Sequence, residues 1–132
     1  MIRAVVQGLS TATAQQKGAT VINGKIRFFT KAKVAKAQRG LVAQLCQHKP
    51  AQPLDCPVFV KIGFVLPIPM SMRKKPLVWH SKRPDLDNLL KGVLDALEPA
   101  GWVTDDARIA GIHAVKTYGP NPQVSVEMEV VK

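Results

Sequence analysis

Arg83-Pro84-Asp85-Leu86-Asp87-Asn88-Leu89-Leu90-Lys91-Gly92-Val93-Leu94-Asp95-Ala96-Leu97-Glu98 is the stretch from which the fold can be read. Leu86, Leu89, Leu90, Val93, Leu94 and Leu97 recur at helical spacing and form one wide apolar stripe, centred on Leu86, Leu90, Val93 and Leu97. Asp87, Lys91 and Asp95 follow each other at i, i+4 and i+8 and make a polar ridge on the opposite side. Pro99 and Gly101 stop the helix, so it covers roughly residues 86–98. A helix this one-sided must bury its stripe against another layer.

The flanks supply that layer. Upstream, Val58, Val60, Ile62, Phe64 and Leu66 alternate over a stretch ending at Pro67, which is a strand pattern. Downstream, Arg108 to Tyr118 reads as a strand, and Val124, Val126, Met128 and Val130 alternate in a last one. Further out, Ile2 to Leu9 reads as a strand, and Asn23-Gly24 between apolar residues signals a two-residue hairpin. Thr30 is placed to cap a helix running to about His48, with Val34, Ala37, Leu41, Val42 and Leu45 on its apolar side and Pro50 and Pro53 behind it. The order is hairpin, helix, strand, helix, two strands. The expected class is α+β: a single small domain over residues 1–132, a mixed β-sheet with two main helices packed on it.

Residues 67–84 form a long basic connection, punctuated by proline, in which Arg73-Lys74-Lys75 and Lys82-Arg83 flank Trp79 and His80. Loops longer than about 12–15 residues in a compact domain are usually functional or disordered.

The chain has 132 residues, enough for one domain that folds without a disulfide or metal staple. Cys46 and Cys56 make no disulfide framework, and the spacing of Cys46, His48 and Cys56 is not that of a zinc site. No apolar run approaches a membrane span, and the start, Met1 to Val6, lacks the apolar core of a signal peptide. The expectation is a soluble, cytoplasmic chain. Its net charge of +10 points to a polyanionic partner, nucleic acid first.

That charge is unevenly distributed. Asp85, Asp87, Asp95, Glu98, Asp105 and Asp106 hold six of the nine acids, offset between positions 85 and 106 by Lys91 alone, so this window carries −5. The remainder, with 18 bases against Asp55, Glu127 and Glu129, carries +15. One reading is purely structural: acids at a helix start stabilise the macrodipole and cap free N–H groups, and Asp87 with Lys91 is an ordinary i,i+4 pair. The chemical reading needs the turn Gly101-Trp102-Val103-Thr104-Asp105-Asp106 to return toward the helix, which is permitted if helix and following strand run antiparallel. Two carboxylates about 5 Å apart repel by about 3 kcal/mol at an effective dielectric near 20. A cluster of three therefore calls for a proton, a cationic partner or a hard metal ion such as Mg²⁺ or Mn²⁺. In a DNA-binding chain such a centre suggests phosphodiester hydrolysis, with Lys91 steadying a carboxylate or the charge on phosphorus.

The ordered set Arg83-Pro84-Asp85-Leu86-Asp87-Asn88-Leu89-Leu90-Lys91, Asp95-Ala96-Leu97, Thr104-Asp105-Asp106 and Val115-Lys116 resembles the RusA family of Holliday junction resolvases. The resemblance implies a homodimeric, Mg²⁺-dependent endonuclease of phage or prophage origin that cuts two strands of a four-way junction symmetrically. Mn²⁺ would be a plausible substitute for Mg²⁺. By position it implies Asp85, Asp87 and Asp106 as metal ligands, Lys91 as the catalytic lysine and Asp105 as a secondary acid. Arg73, Lys74, Lys75, Lys82, Arg83, Lys31, Lys33 and Lys116 are the candidates for DNA contacts. No membrane and no small-molecule cofactor are expected. The competing reading is a basic, non-catalytic DNA-binding protein.

Overall fold

A computed structural model of the chain describes residues 1–7, 17–22, 25–30, 32–72 and 78–131, and the side chains of residues 17–34 and of Met72 are left aside. The strands are β1 (Ile2–Gln7), β2 (Lys17–Ile22), β3 (Lys25–Thr30), β4 (Val58–Leu66), β5 (Ile109–Tyr118) and β6 (Gln123–Val130). The helices are α1 (Ala32–Cys46) and α2 (Leu86–Leu97). β1, β6, β4 and β5 lie side by side in that order, with β4–β5 parallel and the other pairs antiparallel. The fold is α+β, a mixed four-stranded sheet with two helices, as its alternating strands and one-sided helices lead one to expect. β2 and β3 pair with each other as a separate two-stranded sheet. Ile22 opposes Lys25 there, the register of a two-residue turn, although Asn23 and Gly24 themselves lie outside the described residues.

Period-two alternation decides which face is covered. Val58, Val60, Ile62, Phe64 and Leu66 of β4 are all buried, as are Ala4 and Val6 of β1 and Val124, Val126 and Met128 of β6. They form one core with Leu45 of α1 and Leu89, Val93, Ala96 and Leu97 of α2. The buried line of α2 is therefore turned toward Leu89 and Ala96, away from the expected centre. Leu86, Leu90 and Leu94 are left half-buried at the edge. The opposite sheet face carries exposed Val5 and Phe59.

Because β4 and β5 are parallel, the chain must cross over between them, and α2 is that crossover. Its end is shaped by the turn that follows. Gly101 sits at φ +84°, a left-handed conformation that suits glycine, and Trp102 N donates to Leu97 O. Trp102 is fully buried, and its Nε1 donates to Leu45 O at 2.8 Å, tying the end of α2 to the end of α1.

The connection 67–84 is not featureless. Met70–Met72 form one 3-10 turn, and residues 78–80 lie along the free edge of β5. There Tyr118 N donates to Val78 O, and His80 N donates to Lys116 O. Trp79, bridged to Thr117, is 68% exposed. No helix among the described residues is long and apolar enough to cross a membrane.

Candidate active site

The acidic ridge of α2 faces the start of β5 across a shallow depression of about 390 Å³, lined by Asp87, Leu90, Lys91, Leu94, Asp95, Asp106, Ile109 and Ile112. Its apolar floor has a structural cause. The β4–β5 register slips by one residue, so that Ile109 opposes Val58 while Gly111 opposes Phe59 and Ile112 opposes Val60. Val58 and Val60 both face the helices. The slip thus turns both Ile109 and Ile112 toward α2, three positions apart instead of two, a device bulges often provide beside sites. α2 does not reach far enough to close over Ile112, which stays 45% exposed.

The two ends of the site come from different parts of the chain. Asp106 opens a 3-10 turn, Asp106–Arg108, that leads into β5. Asp105 precedes it in extended conformation, and its Oδ1 accepts a hydrogen bond from Ala107 N at 2.8 Å. Asp105 is thereby a capping residue of the turn, and Asp106 is the acid that lines the depression. The turn is fastened from below by Asp55, whose Oδ1 accepts from Thr104 Oγ1 at 2.7 Å and from Arg108 Nε at 2.8 Å. Backbone bonds of Leu54 with Trp102 and Thr104 add to this clasp. The Thr104 hydroxyl first, and Arg108 next, hold the Asp55 carboxyl below the usual carboxylate range.

At the other end, Asp85 occupies the N-cap position of α2 with φ −68° and ψ 144°. Its backbone carbonyl takes the first helical bond, from Leu89 N, but its side chain makes no cap hydrogen bond. The capping explanation of this acid therefore does not hold. Asp87, in the first turn, is exposed. Lys91 does not pair back to it: its Nζ lies 3.0 Å from Asp95 Oδ2, one turn further on.

Helix and strand run antiparallel, as the return of the turn required. Lys91, at the middle of α2, and Asp95, one turn further on, share the depression with Asp106, which stands just before β5. Lys116, seven residues along β5 from Ile109, meets Pro84 at the start of α2. Burial first, and then the negative charges of Asp95 and Asp105, push the Asp106 carboxyl up, with Lys91 opposing them. Asp87, Lys91 and Asp106 are thus brought to one depression, joined by Asp95, while Asp85 stands outside its lining. Among the described residues, no three Asp, Glu, His or Cys side chains stand close enough to hold an ion between them. The acids that line the depression offer anionic oxygens, the donor type a hard cation prefers.

Of the basic candidates, Lys82 and Arg83 are exposed directly before Asp85. Lys116 is half-buried and donates from Nζ to Lys82 O at 2.7 Å and to Pro84 O at 2.8 Å. Arg73, Lys74, Lys75 and Lys31 lie outside the described residues, as does the side chain of Lys33. Sequence reasoning missed Asp95 as a lining residue and Asp55 as a support. The i+4 spacing of Asp95 from Lys91 was the available signal for the first; the second had none.

Comparison with known proteins finds a family and relatives that the chain resembles along most of its length. The family model described as endodeoxyribonuclease RusA matches residues 10–129. The crossover junction endodeoxyribonuclease rusA of Lactococcus phage r1t is 29% identical over 119 residues, which cover 90% of this chain and 89% of that protein. The uncharacterized protein YqaN of Bacillus subtilis (strain 168) is 30% identical over 141 residues, covering 98% of this chain and 96% of the relative.

Proposed function

The chain belongs to the RusA family of endodeoxyribonucleases, and on that premise we propose that it resolves four-way DNA junctions by paired, symmetric, Mg²⁺-dependent nicks. The observation that carries the reading is the meeting of Asp87, Lys91, Asp95 and Asp106 in one depression of a chain whose net charge is +10. A helix that used its acids only for capping and solubility would not need to aim them at the acid of a second element.

In this reading Asp87 and Asp106, which share the depression, would hold the ion together with Asp85, which stands at the start of α2 outside the lining. A bound Mg²⁺ supplies Lewis-acid polarisation of the phosphate and a hydroxide nucleophile at neutral pH. Mn²⁺, with the same preference for oxygen ligands, substitutes for it. Lys91 presents its ammonium to the charge developing on the phosphoryl oxygens, and Asp95 aims it. The basic surface, with Lys82 and Arg83 at the approach to Asp85, holds the backbone of the branched DNA. Two equivalent strands must be cut, so a two-fold homodimer matches the substrate. Such an enzyme works where DNA is recombined and repaired, in the cytoplasm of a bacterial or phage-infected cell.

The test is direct. The protein is incubated with a synthetic four-way junction in Mg²⁺, in Mn²⁺ and in EDTA. Paired nicks are expected with either metal and none in EDTA. Binding without nicking in any metal would return the reading to a non-catalytic DNA-binding protein.

A further inference from the structure

We propose that Lys116 is a positioning residue that holds the segment leading into Asp85 in place, and that it does not serve as a phosphate contact. The inference rests on the reading of Asp85 as a metal ligand and adds the device that places it.

Lys116 opposes Phe64 in the β4–β5 register, and Phe64 is buried under the helices. The stem of Lys116 therefore rises on the helix side of the sheet, beside the start of α2. Its ammonium has three donors, and two of them go to carbonyls two residues apart, Lys82 O at 2.7 Å and Pro84 O at 2.8 Å. Both are short, charge-assisted bonds. The backbone carbonyl of the same residue accepts from His80 N, and Tyr118 N donates to Val78 O. Three of these four ties between residues 78–84 and β5 are made by Lys116. The rings of His80 and Tyr118, with centroids 4.6 Å apart, pack beside them.

Asp85 needs such support because it has little of its own. Its side chain makes no cap hydrogen bond, and its extended backbone is the hinge between a loop and a helix. The Pro84 carbonyl held by Lys116 belongs to the peptide bond that joins Pro84 to Asp85. Releasing it removes both side-chain ties on residues 82–84 and leaves the segment leading into Asp85 to the backbone bonds of Val78 and His80 with β5. An ammonium already bonded to two carbonyls also has little left to offer a phosphate.

Two variants separate the roles. Lys116→Met keeps the stem and removes the donors, and Lys116→Gln removes the charge but keeps a neutral donor. Each is measured for junction binding against salt in EDTA, for Mn²⁺ binding by calorimetry, and for melting temperature. Lys116→Met is expected to leave the salt slope unchanged while the Mn²⁺ dissociation constant rises about tenfold or more, as for other groups that orient a ligand. Lys116→Gln is expected to lose less Mn²⁺ affinity than Lys116→Met, and it carries the test alone if Lys116→Met does not fold. A salt slope lowered by about 0.9 in the variants, the signature of one lost phosphate contact, overturns the proposal. Unchanged Mn²⁺ affinity in a folded Lys116→Met overturns it as well. Failure of the wild-type protein to bind Mn²⁺ sinks the metal reading instead, and the slope in EDTA then still decides whether Lys116 touches DNA.

Discussion

The ammonium of Lys91 lies 3.0 Å from the carboxylate of Asp95, one turn ahead on α2, and Asp87, one turn behind, is left without it. Both partners of this pair are about half exposed, so it adds no more than a few tenths of a kcal/mol to stability. What it does is aim the lysine toward the end of the depression where Asp106 stands. Asp95→Asn is accordingly expected to lower the cleavage rate about tenfold at saturating Mg²⁺ while changing folding free energy by less than about 0.5 kcal/mol. Single-turnover kinetics beside a denaturant melt would show this, and an undiminished rate would remove Asp95 from the site.

Asp87 has no such partner among the described residues, and its role in the proposed chemistry is to carry charge to the ion. Asp87→Asn is expected to abolish nicking and to keep, or tighten, junction binding, since it removes negative charge near phosphate. A gel-shift titration with the folded variant checks it. If binding and cleavage vanish together, the depression is not a metal centre of this kind.

Asp106 is crowded. Partial burial and the charges of Asp95 and Asp105 all disfavour its ionised form. In EDTA at neutral pH, Asp106→Asn is therefore expected to melt above the wild-type protein, because the crowding is relieved. With Mg²⁺ added, the wild-type melting temperature rises and that of the variant does not. Identical shifts of the two proteins on adding Mg²⁺ would count against Asp106 as a ligand.

Asp55 sets the acid limit of the turn that carries Asp106. The Thr104 hydroxyl and the Arg108 guanidinium lower its folded-state pKa below the unfolded value. Its contribution is therefore present above about pH 4, where the unfolded carboxyl is ionised, and is lost as pH falls through the lower folded value. Asp55→Asn is expected to melt below the wild-type protein at neutral pH, with the gap closing as pH falls below the range in which an unfolded carboxyl ionises. A melting-temperature profile across that range tests the sign, and a gap that widens in acid would contradict it.

Much of the fold was legible because its signals are local. Alternation in 58–66 and 124–130 marks two strands whose inward residues are buried, save Val130 at the strand end, and the apolar stripe of 86–97 marks the helix that crosses between β4 and β5. What local signals do not encode is which neighbours a strand takes. That β4 pairs in parallel with β5 while β6 inserts between β1 and β4 depends on the summed burial of several elements. The direction of Lys91 could not be read either, because Asp87 and Asp95 stand at equal spacing on either side of it. The choice falls to Asp95, and only the tertiary structure shows that this is the side where Asp106 returns.

The sequence by itself determined the ingredients: a basic chain with one acidic window, a one-sided helix bearing Asp87, Lys91 and Asp95, and a turn bearing Asp105 and Asp106. Their spacing follows from helical geometry, which a single segment specifies. The tertiary structure alone decided which acid serves which purpose. It turned Asp105 into a cap, left Asp106 facing the depression, fastened that turn with Asp55, and set Lys116 under the segment leading into Asp85. The physical reason is distance along the chain. Asp55 lies 53 residues from Arg108, and Lys116 lies 32 from Pro84, so these contacts exist only once the sheet has brought the segments together.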